Sequence, residues 1–124
     1  PLNVVPTASG YAEGYYLWSS DEAFEICDEV SSERMKVLFD IYHQQVSEGN
    51  VTQRVVSHID QIAHLHAAGV PGRHELDVGE LDYCYILRAL RDNGYDRYVG
   101  LEYNPTRDSA DGMRAAVSLL ETCT

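Results

Sequence analysis

The chain has 124 residues, 44% of them apolar, and nine Lys and Arg against twenty Asp and Glu leave a net charge of −11. That length supports one compact domain with a real core, and the apolar content speaks for a globular chain over a disordered one. The negative surface repels phosphate backbones and disfavours nucleic acid, while suiting small molecules and divalent cations.

No apolar run reaches the roughly 20 residues of a membrane helix, and no basic n-region of a signal peptide is present. A cytoplasmic, reducing setting is therefore expected. The absence of an initiator Met ahead of Pro1 leads us to expect a chain processed or cut from something longer. Three cysteines, with no CxxC pair, speak against a disulfide framework or zinc knuckle; Cys27 and Cys84 are expected as small core residues.

In chain order, Leu2 to Val5 reads as a strand whose start is missing. Asp21 to Val30 reads as a helix after a Ser19-Ser20 cap, with Phe24, Cys27 and Val30 as its apolar stripe. Met35 to His43 reads as a strand, and Thr52 to Ile59 as a helix with Val55, Val56 and Ile59 on one face. Ile62 to Ala67 is the next strand. Tyr83 to Asp92 is a helix capped by Asp82, with Tyr83, Ile86, Leu87 and Leu90 at helical spacing and Asn93-Gly94 as its stop. Tyr98 to Tyr103 is a strand. Ser109 to Thr122 is a helix with Met113, Val117 and Leu120 on one side.

Strands alternating with helices imply parallel βαβ units. No GxGxxG or GxxxxGK[ST] loop follows a strand, so neither nucleotide-binding fold is signalled. The expected fold is α/β: about four βα units, residues 1–124, forming half of a parallel (β/α) barrel of TIM type, which usually needs ~250 residues in full. Either a missing half or a second copy must complete it.

Active sites of such barrels lie at the C-terminal strand ends. Three consecutive strands each place one polar residue there: Asp40, His66 and Glu102. Together they form a mixed oxygen–nitrogen set suited to Mn²⁺, Mg²⁺, Co²⁺ or Zn²⁺. Singly, each also has an ordinary reading: helix cap or surface acid for Asp40, loop or core histidine for His66, salt-bridged acid for Glu102. His43 follows Asp40 by three and could reach a substrate hydroxyl. Arg73 lies in the long Ala68–Asp82 connection, where a guanidinium can clamp a carboxylate. Glu75 and Glu80 are expected to shape that loop. We expect His64 and His66 on different faces, with only one in the site. The aromatic cluster Tyr15, Tyr16 and Trp18 is expected to pack in a core or interface, with closure over a small substrate as the alternative.

Leu38-Phe-Asp-Ile-Tyr-His-Gln-Gln45 with Glu48-Gly-Asn50 resembles the hydroxypyruvate isomerase family. So do His64-Leu-His-Ala-Ala-Gly-Val-Pro-Gly-Arg-His-Glu75, Gly79-Glu-Leu-Asp-Tyr83, Gly94-Tyr95 and Gly100-Leu-Glu-Tyr-Asn-Pro105. The resemblance runs from about Pro1 to about Gly112, within the broader xylose-isomerase-like barrel superfamily. It implies that Asp40, His66 and Glu102 match three of four metal ligands, that Glu102 is one of two proton-transferring glutamates, and that His43 and Arg73 contact substrate. The fourth ligand, also the second glutamate, would immediately precede Pro1, so the chain matches the C-terminal half of a family member.

The implied reaction interconverts hydroxypyruvate and 2-hydroxy-3-oxopropanoate through an enediolate. A ketose 3-epimerase, or another tetronate or sugar isomerase of the same superfamily, is the nearest alternative; the epimerase is weakened because Val4, Val5 and Pro6 stand where epimerases tend to carry an extra Glu. The superfamily's abasic-site endonuclease branch is opposed by the charge of −11. A half barrel acting as a binding module, or an inactive remnant, is the non-catalytic alternative.

Overall fold

The computed structural model describes residues 2–4 and 15–123; Pro1, Val5 and Pro6, used above, lie outside them. Its elements are β1 (Leu2–Val4), α1 (Ser20–Val30), β2 (Met35–Asp40), α2 (Ile41–Ser47), α3 (Val51–Ser57), a 3₁₀ turn (Ile59–Gln61), β3 (Ile62–Ala67), α4 (Tyr83–Asp92), β4 (Val99–Leu101) and α5 (Ser109–Cys123). The strands form one parallel sheet in the order β1-β2-β3-β4, the topology expected of consecutive βα units.

Strand alternation divides the sheet into two faces. Val37, Phe39 and Leu65 are fully buried, as is Ile62 ahead of the register shift opposite Val37 and Leu38, and they form the core with Ala23 and Phe24 of α1 and Ile86, Leu87 and Leu90 of α4. The opposite face carries Leu38, Asp40, His64 and His66, with Leu38 beside His64 and Asp40 beside His66 in the register.

Helix ends follow local chemistry. Ser19 caps α1 by accepting the Glu22 N–H, and Asp82 caps α4 by accepting that of Tyr85. The α2–α3 turn runs through Gly49 (φ 70°) and Asn50 (φ 52°), a left-handed pair of residue types that tolerate it. Glu48, with a nearly buried side chain, reaches back to Ser20, accepting its N–H at 3.1 Å and its hydroxyl at 2.6 Å. It thereby ties the start of α1 to the end of α2.

Several expectations are corrected. The Met35–His43 strand stops at Asp40, because the Asp40 side chain accepts the His43 N–H and starts α2 there. Cys84 is bonded to Cys123, stapling α4 to α5, so it is not a free core residue; Cys27 is. Met113, Val117 and Leu120 are exposed, while Gly112, Ala116 and Cys123 form the buried side of α5. Val30 is likewise exposed at the end of α1; Tyr15, Tyr16 and Trp18 are exposed too, so of the placements expected for them only the core is ruled out. No helix among the described residues is long and apolar enough to cross a membrane.

Candidate functional site

Asp40 is the last residue of β2, His66 lies near the end of β3, and Glu102 directly follows β4. Parallel pairing brings these ends together at one edge of the sheet. One ligand atom from each of Asp40, His66 and Glu102 can be chosen so that all lie within 4.8 Å of one another. His66 Nδ1 is 2.9 Å from Glu102 Oε2 and 3.8 Å from Asp40 Oδ2. Two carboxylate oxygens and one imidazole nitrogen converging in this way fit a divalent ion by number, type and spacing of donors.

Arg73 joins them. Its Nη2 donates to Glu102 Oε2 at 2.6 Å and lies 3.4 Å from Asp40 Oδ2, while its Nε donates to the Glu102 carbonyl at 3.1 Å. The guanidinium carbon also sits 5.4 Å from the centroid of the Tyr42 ring, a cation–π distance. Arg73 has a left-handed backbone (φ 59°), held there as its carbonyl accepts the Asn104 N–H at 2.7 Å. That conformation costs a non-glycine residue roughly 1–2 kcal/mol, so it marks a position whose side-chain direction matters.

His43 is buried, with Nε2 3.6 Å from Asp40 Oδ2. Burial lowers its pKa, against the opposing pull of the Asp40 carboxylate, so the ring is neutral at pH 7. A neutral imidazole can donate one hydrogen bond and accept another.

The expectation that His64 and His66 diverge is overturned: residues two apart on a strand share a face, and the two rings meet edge-on with centroids 5.1 Å apart. Gly100 on the neighbouring strand makes room for them. A Cβ there would stand 2.9 Å from His64 Nε2 and 3.1 Å from His66 Cδ2.

Glu75 does shape its loop. It is buried, and its carboxylate accepts the N–H groups of Thr106 and Arg107 at 2.9 and 3.3 Å and the Thr106 hydroxyl at 2.8 Å. Burial pushes this carboxyl up, but those hydrogen bonds and one from its own N–H outweigh it and bring the pKa down to about 2. With Asn104 tied to Arg73, and His74 Nδ1 2.9 Å from the Asn104 carbonyl, the β3–α4 loop is latched to the segment after β4. Tyr83 closes the loop's other side, its hydroxyl donating to the Ala68 carbonyl at 2.8 Å and accepting the Ala68 N–H. The sequence alone did not point to Tyr42, to the Glu48 anchor or to the partners of Glu75; each contact joins segments distant in the chain or depends on side-chain direction.

Parallel βα units with metal-type donors gathered at the C-terminal strand ends define a class of barrel, and the chain belongs to the xylose isomerase-like TIM barrel family, whose model matches residues 5–123. Within that class, the chain is 43% identical over 100 residues to the 2-oxo-tetronate isomerase of Cupriavidus necator, a match covering 81% of this chain and 38% of that protein. It is 34% identical over 101 residues to the hydroxypyruvate isomerase of Escherichia coli, covering 82% and 39%. The resemblance read from the motifs is thus borne out.

Among solved structures, an AP endonuclease, family 2, from Brucella melitensis matches with a TM-score of 0.87 at 32% identity, covering 92% of this chain and 44% of that one. The 3-keto-D-glucoside 4-epimerase of Escherichia coli shares the fold, with a TM-score of 0.84 at 23% identity. The chain spans about two fifths of the length of the curated relatives it matches.

Proposed function

We propose that this chain is the C-terminal half of a metal-dependent isomerase barrel acting on a small hydroxy-oxo acid, with hydroxypyruvate or 2-oxo-tetronate as the substrate class. The observation that carries this reading is the convergence of Asp40, His66 and Glu102 from three consecutive strand ends, with Arg73 against them. Asp40, His66 and Glu102 hold the ion. Bound there, Mn²⁺, Mg²⁺, Co²⁺ or Zn²⁺ would supply Lewis-acid polarisation of adjacent carbonyl and hydroxyl oxygens.

Glu102 is one of two glutamates that remove and return the carbon-bound proton around an enediolate, as general base or general acid; the other belongs to the remaining half. Its exposed side chain, 53% accessible, has the freedom to reach a substrate. Arg73 pairs with the substrate carboxylate, and neutral His43 hydrogen-bonds a substrate hydroxyl.

The remaining strands, and with them a second glutamate that is also the fourth ligand, come from the other half of the barrel or from a second copy. The exposed apolar side chains Leu101, Met113, Val117 and Leu120, on β4 and α5, support continuation of the barrel at that edge.

The test is turnover of hydroxypyruvate and 2-oxo-tetronate by the completed barrel, with and without Mn²⁺. Glu102→Gln is expected to lower kcat by about 10²–10⁴-fold. Unchanged kcat would remove Glu102 from the chemistry. The 124-residue chain alone is expected to bind Mn²⁺ weakly and to show no turnover; robust turnover by it, lost on Glu102→Gln, would overturn the half-barrel reading.

A further inference from the structure

Arg73 engages the same two oxygens, Asp40 Oδ2 and Glu102 Oε2, that face His66 Nδ1. Asp40 Oδ1 already accepts the His43 N–H, so Oδ2 is the oxygen that faces both Arg73 and His66. A guanidinium N–H and a divalent ion compete for the same lone pairs, and their like charges repel at this range. Glu102 is the partner with room to turn, being half exposed, whereas Asp40 is buried.

Resting on the metal reading above, we infer that Arg73 is a resident counter-cation of the site: it neutralises Asp40 and Glu102 until a divalent ion displaces it from them. Displacement leaves the guanidinium beside the Tyr42 ring, where it can turn toward an anionic ligand. Metal loading thus converts Arg73 from a partner of the protein's own carboxylates into a receptor for the substrate's carboxylate. Loading therefore precedes tight binding of the acid.

The experiment titrates Mn²⁺ into the 124-residue chain, following the free-ion signal by electron paramagnetic resonance. Wild type is compared with Arg73→Met, Arg73→Gln, Arg73→Lys and Glu102→Gln. Removing the competing charge in Arg73→Met and Arg73→Gln is expected to tighten Mn²⁺ binding by about tenfold or more. Arg73→Lys, which keeps the charge, stays near wild type, and Glu102→Gln weakens binding.

Equal or weaker binding by both neutral variants would overturn the inference while leaving the metal reading standing. No binding by wild type or by any Arg73 variant would remove the metal reading and the inference together. The two neutral variants differ in hydrogen-bonding capacity, so a folding defect in one leaves the other to decide.

Discussion

The Asp40 carboxylate is divided between two tasks: Oδ1 accepts the backbone N–H of His43 at 3.1 Å, while Oδ2 faces the Nε2 of the same residue at 3.6 Å and the rest of the site. The ordinary reading of an acid at a strand end, a helix cap, is therefore met by one oxygen, and the other faces the proposed metal site. The cap locks the carboxylate's orientation, so Oδ2 points to where the strands converge, toward Arg73 and His66.

This division can be separated by mutation. Asp40→Asn keeps a capping oxygen and removes the charge; Asp40→Ala removes both. We expect Asp40→Ala to lose about 1 kcal/mol of stability through the cap, measured by urea unfolding, and Asp40→Asn to lose less. Both should lose Mn²⁺ binding in titration. An Asn variant as unstable as the Ala variant would contradict the capping role.

Glu75 makes the latch acid-sensitive. Its pKa is about 2 in the fold against an ordinary 4.5. A carboxyl depressed in the native state stabilises above the unfolded pKa, and that contribution is lost as pH falls from about 4.5 to about 2. The side-chain carboxyl carbon of Glu75 should titrate near 2 by NMR. Glu75→Gln, which cannot ionise, should be less stable than wild type at neutral pH and should close that gap as the solution is acidified through this window.

Gly100→Ala should clash with the paired histidines, since the added carbon would sit 2.9 Å from His64 Nε2. The nearest atoms are the ends of side chains that can turn aside, so the cost should lie at or below the low end of the about 1–3 kcal/mol of core overpacking, and displacement of His66 should weaken Mn²⁺ binding. Adding His64→Ala to Gly100→Ala should recover part of both losses, read by unfolding and titration in a double-mutant cycle. Independent, additive effects would show that the rings do not share the space left by the glycine.

The Cys84–Cys123 bond closes a loop across a sequence separation of 39. Loop-closure entropy assigns such a crosslink about 4 kcal/mol. Mass spectrometry of unreduced protein should find the pair oxidised, and reductant or Cys123→Ser should lower the melting temperature. A melting temperature indifferent to reductant would mean that α5 is held by packing alone.

Much of this chain was decided locally. Helix α4 carries its own start at Asp82, its stripe of Tyr83, Ile86, Leu87 and Leu90, and its stop at Asn93-Gly94, so its bounds were legible from composition and spacing. The polar residues that interrupt the strand runs were legible for the same reason: an apolar run broken by Asp40, His66 or Glu102 needs no distant partner to be noticed.

The apolar run through Ile41 and Tyr42 misled because period cannot show that Asp40 folds back on His43 and begins a helix. Met113, Val117 and Leu120 formed a stripe that the tertiary structure turned outward, because the small residues Gly112 and Ala116 let α5 approach on its other side. The Cys84–Cys123 bond, Glu48 on Ser20, Glu75 on Thr106 and Arg73 on Glu102 join residues 28 to 39 positions apart. Local propensity carries no information about such pairs; they exist only once parallel strands bring their ends, and the loops that follow, to one edge. The sequence by itself thus determined which side chains were available for a metal and an acid. Only the tertiary structure decided that they meet, and that Arg73 lies between them.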